Sequence, residues 1–207
     1  MTTEAEPSSA GRIFGERLPL ARAFTADLVA RGEELGLIGP LELPRIWSRH
    51  ILNSAVVAPL LRPGLVGDIG SGAGLPGLVL AIARPDVDFV LIEPMERRVL
   101  WLEEQRELLG LTNVTVRRAR AEEVRGEFGL TQVTARAVSA FRKLIPLVAP
   151  LLSPGGEMVL LKGAGAQAEI DAAQAAVRKF RLRDVEVIEL GSEYDIETTR
   201  VIRARVP

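Results

Sequence analysis

The stretch Leu65-Val66-Gly67-Asp68-Ile69-Gly70-Ser71-Gly72-Ala73-Gly74-Leu75-Pro76-Gly77 decides how this chain is read. Its first five residues form a short apolar run of the kind that makes a buried strand. A glycine cluster follows at once, with Gly70, Gly72 and Gly74 at alternate positions, and a helical run continues to about Ala83. A strand that ends in glycines and enters a helix is the first unit of an α/β fold, and its loop lies at the carboxyl edge of the sheet, where such folds bind ligands.

Outward from that unit, the pattern alternates. Strands are expected at 87–93, 114–118, 132–136 and 157–162, with helices at 96–109, 141–152 and 166–180 between them. Alternation of this kind implies a parallel sheet covered by helices on both faces. The last two apolar stretches, 182–190 and 198–206, are joined by a polar connection too short for a crossover helix, so they should pair antiparallel. The expected fold is therefore α/β: a doubly wound, mostly parallel, seven-stranded sheet ending in an antiparallel hairpin. That ending is more typical of Rossmann-like class I S-adenosylmethionine-dependent methyltransferases than of dinucleotide dehydrogenases, by fold analogy alone. Upstream, helical spacing covers 12–35 and 44–61. The expected division is a disordered tail at 1–11, a helical extension at 12–62 and the sheet domain at 63–207, together one compact unit.

Composition narrows the classes. The chain has 207 residues, 47% of them apolar and 26% charged, with no cysteine. This suits a globular protein able to bury its own core, and it removes disulfides, cysteine-ligated metals and thiol nucleophiles. No metal site is expected. The start MTTEAEPSSAGR lacks the apolar segment of a secretory signal, and no run is long enough for a membrane span, so a cytoplasmic protein is expected. A net charge of −1 is not that of a general nucleic-acid coat, although a local basic patch remains open.

Two cofactors compete for the glycine loop. Gly72, Gly74 and Gly77 spell G-x-G-x-x-G with Glu93 about 20 residues on, a weak dinucleotide signature. The other reading is S-adenosylmethionine, with Asp68 at the strand end, glycines 70, 72 and 74, and Glu93 accepting from the ribose hydroxyls. Glu93 serves either cofactor, whereas Asp68 and the C-terminal hairpin favour the second. His50, the sole histidine, reads from its position as a helix residue with a satisfied hydrogen bond. Lys162 reads either as a solvated strand-end lysine or as a site residue, since site residues collect at strand ends. Trp101 reads as core. Arg97 and Arg98 read as solvated, and Arg117, Arg118 and Arg120 form the densest basic cluster.

The segment from Arg49 to Gly77, with RHILNS, VAPLL and DIGSGAGLPG, resembles the ribosomal RNA small subunit methyltransferase G family, also called glucose-inhibited division protein B. The similarity continues through ARPD (83–86), LIEPMERR (91–98), RAEE (120–123), ARAV (135–138) and LKG (161–163). It implies methyl transfer from S-adenosylmethionine, leaving S-adenosylhomocysteine, to N7 of a guanine in 16S RNA near the decoding site. It implies cofactor contacts from Gly70, Leu75, Ala121, Glu122 and Arg136. The expected partner is small-subunit ribosomal RNA or the subunit itself, met by a monomer, with no membrane involved. The resemblance at RHIL implies that Arg49 and His50 stand at the mouth of the cofactor pocket, and an RNA substrate gives Lys162 a phosphate or the base to touch; Arg136, Lys162 and His50 are the candidates for positioning the base. Gly36 to Glu42 stands where many members carry an asparagine-rich stretch, a departure expected to leave the cofactor site untouched. A nicotinamide-dependent oxidoreductase and a non-catalytic RNA-binding assembly factor are the competing readings.

Overall fold

The computed structural model describes residues 2–194 and 196–207. Among the described residues seven strands form one sheet: β1 (Leu65–Ile69), β2 (Asp88–Ile92), β3 (Val114–Arg117), β4 (Leu130–Arg136), β5 (Leu152–Lys162), β6 (Arg183–Leu190) and β7 (Thr199–Arg205). Their order is β3-β2-β1-β4-β5-β7-β6. The first five pair in parallel, while β7 runs antiparallel to both β5 and β6. The expected seven-stranded sheet and terminal hairpin are both present. Chain order reverses between β1 and β4, which opens a crevice at their carboxyl ends.

Each buried strand feeds two cores. Phe89 and Leu91 face one side of the sheet, and Val90 and Ile92 face the other. The first core packs the sheet against α1 (Ser9–Phe14), α2 (Leu18–Arg31), α4 (Gly77–Ala83) and α5 (Glu96–Leu108). The second packs it against α6 (Phe141–Val148) and α7 (Ala166–Ala172), followed by the short α8 (Gln174–Lys179). The N-terminal helices belong to the sheet's own core: Phe24 of α2 lies 6.4 Å from the ring of Trp101 on α5, and both are buried. Burying a side chain of that size stabilises by about 1.5–3 kcal/mol.

The structure departs from the sequence expectation in the N-terminal quarter. The tail expected over 1–11 is docked from Glu4 onward: the Glu4 amide donates to the Leu43 carbonyl at 3.0 Å and its carboxylate accepts from the Ser48 amide at 3.0 Å. Glu6 pairs with Arg22 at 2.6 Å, and Ala10 and Phe14 are buried. Polar composition conceals this docking because every partner is distant in sequence. The helix expected over 44–61 is instead a 3-10 segment (Pro40–Arg45), a π-helical segment (Ile46–Leu52), one α turn, α3 (Asn53–Ala55), and a 3-10 turn (Ala58–Leu60). Wider π turns inside a helix are frequent at functional sites, and this one carries Arg49 and His50.

Candidate active site

The crevice holds two adjoining cavities. The smaller, about 540 Å³, is bounded by Gly70, Ser71, Gly72, Ala73 and Leu75 of the glycine loop, by Glu93, Pro94 and Met95 after β2, and by Arg136, Ala137 and Val138 after β4. The larger, about 760 Å³, is bounded by Arg49, His50 and Asn53, by Arg136 and Lys162, and by Glu197, Thr198 and Arg200. Glu42, His50, Arg136 and Ala137 line both.

The glycine loop takes its shape from left-handed backbone. Gly70, Gly72 and Gly74 have φ values of 67°, 56° and 91°, a region that side chains rarely enter. A Cβ on Gly72 would find no atom nearer than 3.7 Å, so this glycine opens onto the cavity. The loop is held from below. Trp101 donates its indole N–H to the Ala73 carbonyl at 3.0 Å, and Ser71 Oγ donates to the Asp68 carbonyl at 2.9 Å.

Glu93, 2% exposed, accepts from the Gly72 amide at Oε2 and from the Met95 amide at Oε1, both at 2.9 Å. A carboxylate offers about four acceptor positions, so it retains capacity for two hydroxyls. The cavity's size, the open face of Gly72 and a buried carboxylate at the end of β2 together fit a nucleoside cofactor.

Gly70, Gly72, Leu75, Glu93 and Arg136 thus converge as expected, and four other residues do not line the cavity. Asp68 is wholly buried: Oδ1 accepts from Thr134 Oγ1 at 2.9 Å and Oδ2 from the Gly77 amide at 3.2 Å. Burial pushes its carboxyl up to about 6 against these hydrogen bonds. Its work is to brace the turn into α4. Gly74 faces inward, since a Cβ there would lie 2.4 Å from Leu78. Ala121 packs into the second core, and Glu122 is exposed beside it on the 3-10 turn after β3.

Arg136 and His50 lie where the cavities meet. Arg136 donates to the Arg49 carbonyl at 3.1 Å and to His50 Nδ1 at 2.5 Å, and His50 Nε2 is 2.6 Å from Glu42 Oε2. Burial and the neighbouring Arg49 lower Arg136 to about 10, which leaves it cationic at neutral pH. Both sequence readings of His50 hold at once: its ring nitrogens are satisfied, and it stands at the pocket mouth. Lys162 has neither a solvated end nor a free one. Its Nζ donates to the Ser139 carbonyl at 2.7 Å and pairs with Glu169 at 2.9 Å. It thereby ties down the loop after β4, where Ala137 adopts φ 56°. Strain of that kind persists only where surrounding structure over-determines it.

Sequence reasoning missed several walls. Leu37, Ile38, Gly39 and Glu42 line the smaller cavity, so the segment at 36–42 reaches the cavity of the glycine loop. No local pattern signals this. Arg98, expected to be solvated, also lines that cavity. Arg117 and Arg118 of the basic cluster are exposed and paired with Glu127 and Glu96.

Comparison with known proteins agrees with this geometry. The family model for rRNA small subunit methyltransferase G matches residues 17–199. The chain belongs to that family. The proteins of that name from Clavibacter michiganensis and Leifsonia xyli are 71% and 69% identical to it, covering 98% and 99% of this chain and 96% and 98% of their own lengths. With membership of a methyltransferase family, the oxidoreductase alternative falls. Solved structures add the fold. A SAM-dependent methyltransferase from Aquifex aeolicus has a TM-score of 0.57 at 18% identity, over 81% of this chain and 95% of that one. M. jannaschii TYW2 in complex with AdoMet has 0.57 at 19%, over 75% and 74%. No helix among the described residues of this family member is long and apolar enough to cross a membrane.

Proposed function

We propose that this chain transfers a methyl group from S-adenosylmethionine to N7 of a guanine in 16S ribosomal RNA near the decoding site, acting as a cytoplasmic monomer on the RNA or the small subunit. The observation that carries this reading is the pair of cavities meeting at Arg136, one shaped for a nucleoside and one edged with Arg49 and Arg200.

The smaller cavity takes the cofactor, with Glu93 accepting from the ribose hydroxyls and the glycine loop giving close backbone approach. Bound there, S-adenosylmethionine supplies an electrophilic methyl group on a sulfonium. Guanine N7 carries a lone pair and no proton, so no residue has to act as a general base. The chain's contribution is alignment, which in well-oriented systems is worth up to about 7–11 kcal/mol. The larger cavity receives the base extruded from its loop, as reaching a ring edge requires. Arg49 and Arg200 supply cations to the flanking phosphates.

The test is transfer of labelled methyl to small subunits from a strain lacking this protein, followed by digestion to nucleosides. Label is expected in 7-methylguanosine, and Gly72→Val abolishes it. Cofactor binding without label on any RNA form overturns the substrate, and absence of cofactor binding overturns the methyltransferase reading. RNA binding that survives Gly72→Val in a protein that never transfers methyl would instead mark an assembly factor.

A further inference from the structure

Glu42, His50 and Arg136 come from three separate segments, the 3-10 stretch Pro40–Arg45, the π-helical stretch Ile46–Leu52 and the end of β4, and all three line both cavities. Their contacts form a chain whose proton positions follow from elementary chemistry. A guanidinium has only N–H donors. Arg136 Nη2 lies 2.5 Å from His50 Nδ1, so Nδ1 must present its lone pair. The neutral ring then carries its single proton on Nε2, which points at Glu42 Oε2 at 2.6 Å. Which nitrogen bears the proton is thus set by the partners on either side.

We propose that His50 is a positioning residue for methyl transfer: as the Nε2–H tautomer fixed by Glu42, it accepts from Arg136 and holds that guanidinium at the junction of the cofactor and base cavities. The proposal rests on the methyl-transfer reading above. It gives His50 no proton to move, because N7 has none to give. It also gives the unusual 36–42 segment a task, since Glu42 at its end fixes the ring that holds Arg136.

The charged groups facing His50 are Glu42, Arg49 and Arg136. Burial and the cation of Arg136 lower the ring's proton affinity, and Glu42 opposes them. The neutral ring therefore prevails at neutral pH. Protonation at low pH sets an N–H against a guanidinium N–H and releases Arg136.

His50 is the chain's only histidine, so labelling imidazole nitrogens gives one pair of ring signals from the intact protein. At neutral pH the expected result is a proton on Nε2 and a bare Nδ1. A proton on Nδ1 overturns the proposal whatever the substrate proves to be. In single-turnover transfer, His50→Ala is expected to slow the methyl step roughly tenfold, and the His50→Ala, Arg136→Ala double variant to be no slower than Arg136→Ala alone. Additive losses overturn the proposal. His50→Gln offers an amide oxygen to Arg136 and an amide N–H to Glu42. It is expected to restore most of the rate and to lack the acid-side fall expected of the wild type. A His50→Gln enzyme with the wild-type acid limb overturns the proposal even if His50→Ala fails to fold. A wild-type protein that transfers no methyl defeats the functional reading and with it the role in methyl transfer, whereas a proton on Nδ1 in a protein that does transfer methyl defeats the role of His50 alone.

Discussion

Trp101 donates its indole N–H to the main-chain carbonyl of Ala73 at 3.0 Å. The residue is 1% exposed, midway along α5, and it fastens the glycine loop to the helix that follows β2. Its ring also packs near Phe24 and lies under the Arg31 guanidinium, 5.0 Å from the ring centroid. One side chain on α5 thus joins α2 and the glycine loop.

Trp101→Phe keeps an aromatic ring and removes the donor. The loss of the hydrogen bond and of ring volume is expected to cost about 2–3 kcal/mol, read as a lower urea midpoint at unchanged slope. Cofactor affinity falls as well, because the Ala73 segment loses its brace. Unchanged affinity in a destabilised protein would confine Trp101 to the core.

Asp68 carries a pH dependence whose sign follows from its burial. Its carboxyl is raised from the ordinary 3.8 to about 6, so between those values the folded protein binds more proton than the unfolded chain. Its contribution is fully present below pH 3.8 and is lost as pH rises through about 6, up to about 3 kcal/mol at 1.36 kcal/mol per pH unit. Asp68→Asn has an oxygen for the Gly77 amide and an N–H for Thr134 Oγ1. Subtracting its stability profile from the wild type's is expected to leave a fall between pH 4 and 6. A flat difference would show that the carboxyl titrates normally.

Lys162 is committed to protein partners, the Ser139 carbonyl and Glu169. Lys162→Met keeps the stem and leaves both partners short of a donor, at a cost of about 1–3 kcal/mol. The dependence of RNA affinity on salt is expected to keep its slope. A slope reduced by about one charge would instead assign Lys162 to a phosphate.

The parallel half of the fold was legible because its strands are continuous apolar runs punctuated by glycine, and the hairpin because its connection is too short for a helix. Docking of residues 4–14 was not, since it depends on Leu43, Ser48 and Arg22 across the fold. Asp68 illustrates a second limit. Strand position shows that a side chain sits near the carboxyl edge, yet not whether it faces the cavity or Thr134 beneath it. The tie from Lys162 to Ser139 is likewise a relation between two loops that local pattern does not reach. Glycine spacing pointed to Gly70 and Gly72, strand-end spacing to Glu93, and the family resemblance, which runs on through ARAV at 135–138, to Leu75 and Arg136, whereas the wall from 37–39 carries no signature of its own.

Glu93 gives the sharpest test of the proposal that the smaller cavity takes the cofactor. Both its oxygens already accept main-chain N–H groups, from Gly72 and Met95, in a nearly dry setting. Glu93→Gln preserves shape, but one of its two ends becomes a donor. That end opposes an N–H and ceases to accept from a ribose hydroxyl. A buried group left unpaired costs about 1–3 kcal/mol, so affinity for S-adenosylmethionine is expected to fall about ten- to a hundredfold by calorimetric titration. S-adenosylhomocysteine carries the same ribose, and its affinity should fall by the same factor. Unequal losses would place Glu93 near the sulfur end of the ligand, and unchanged affinities would remove it from the site.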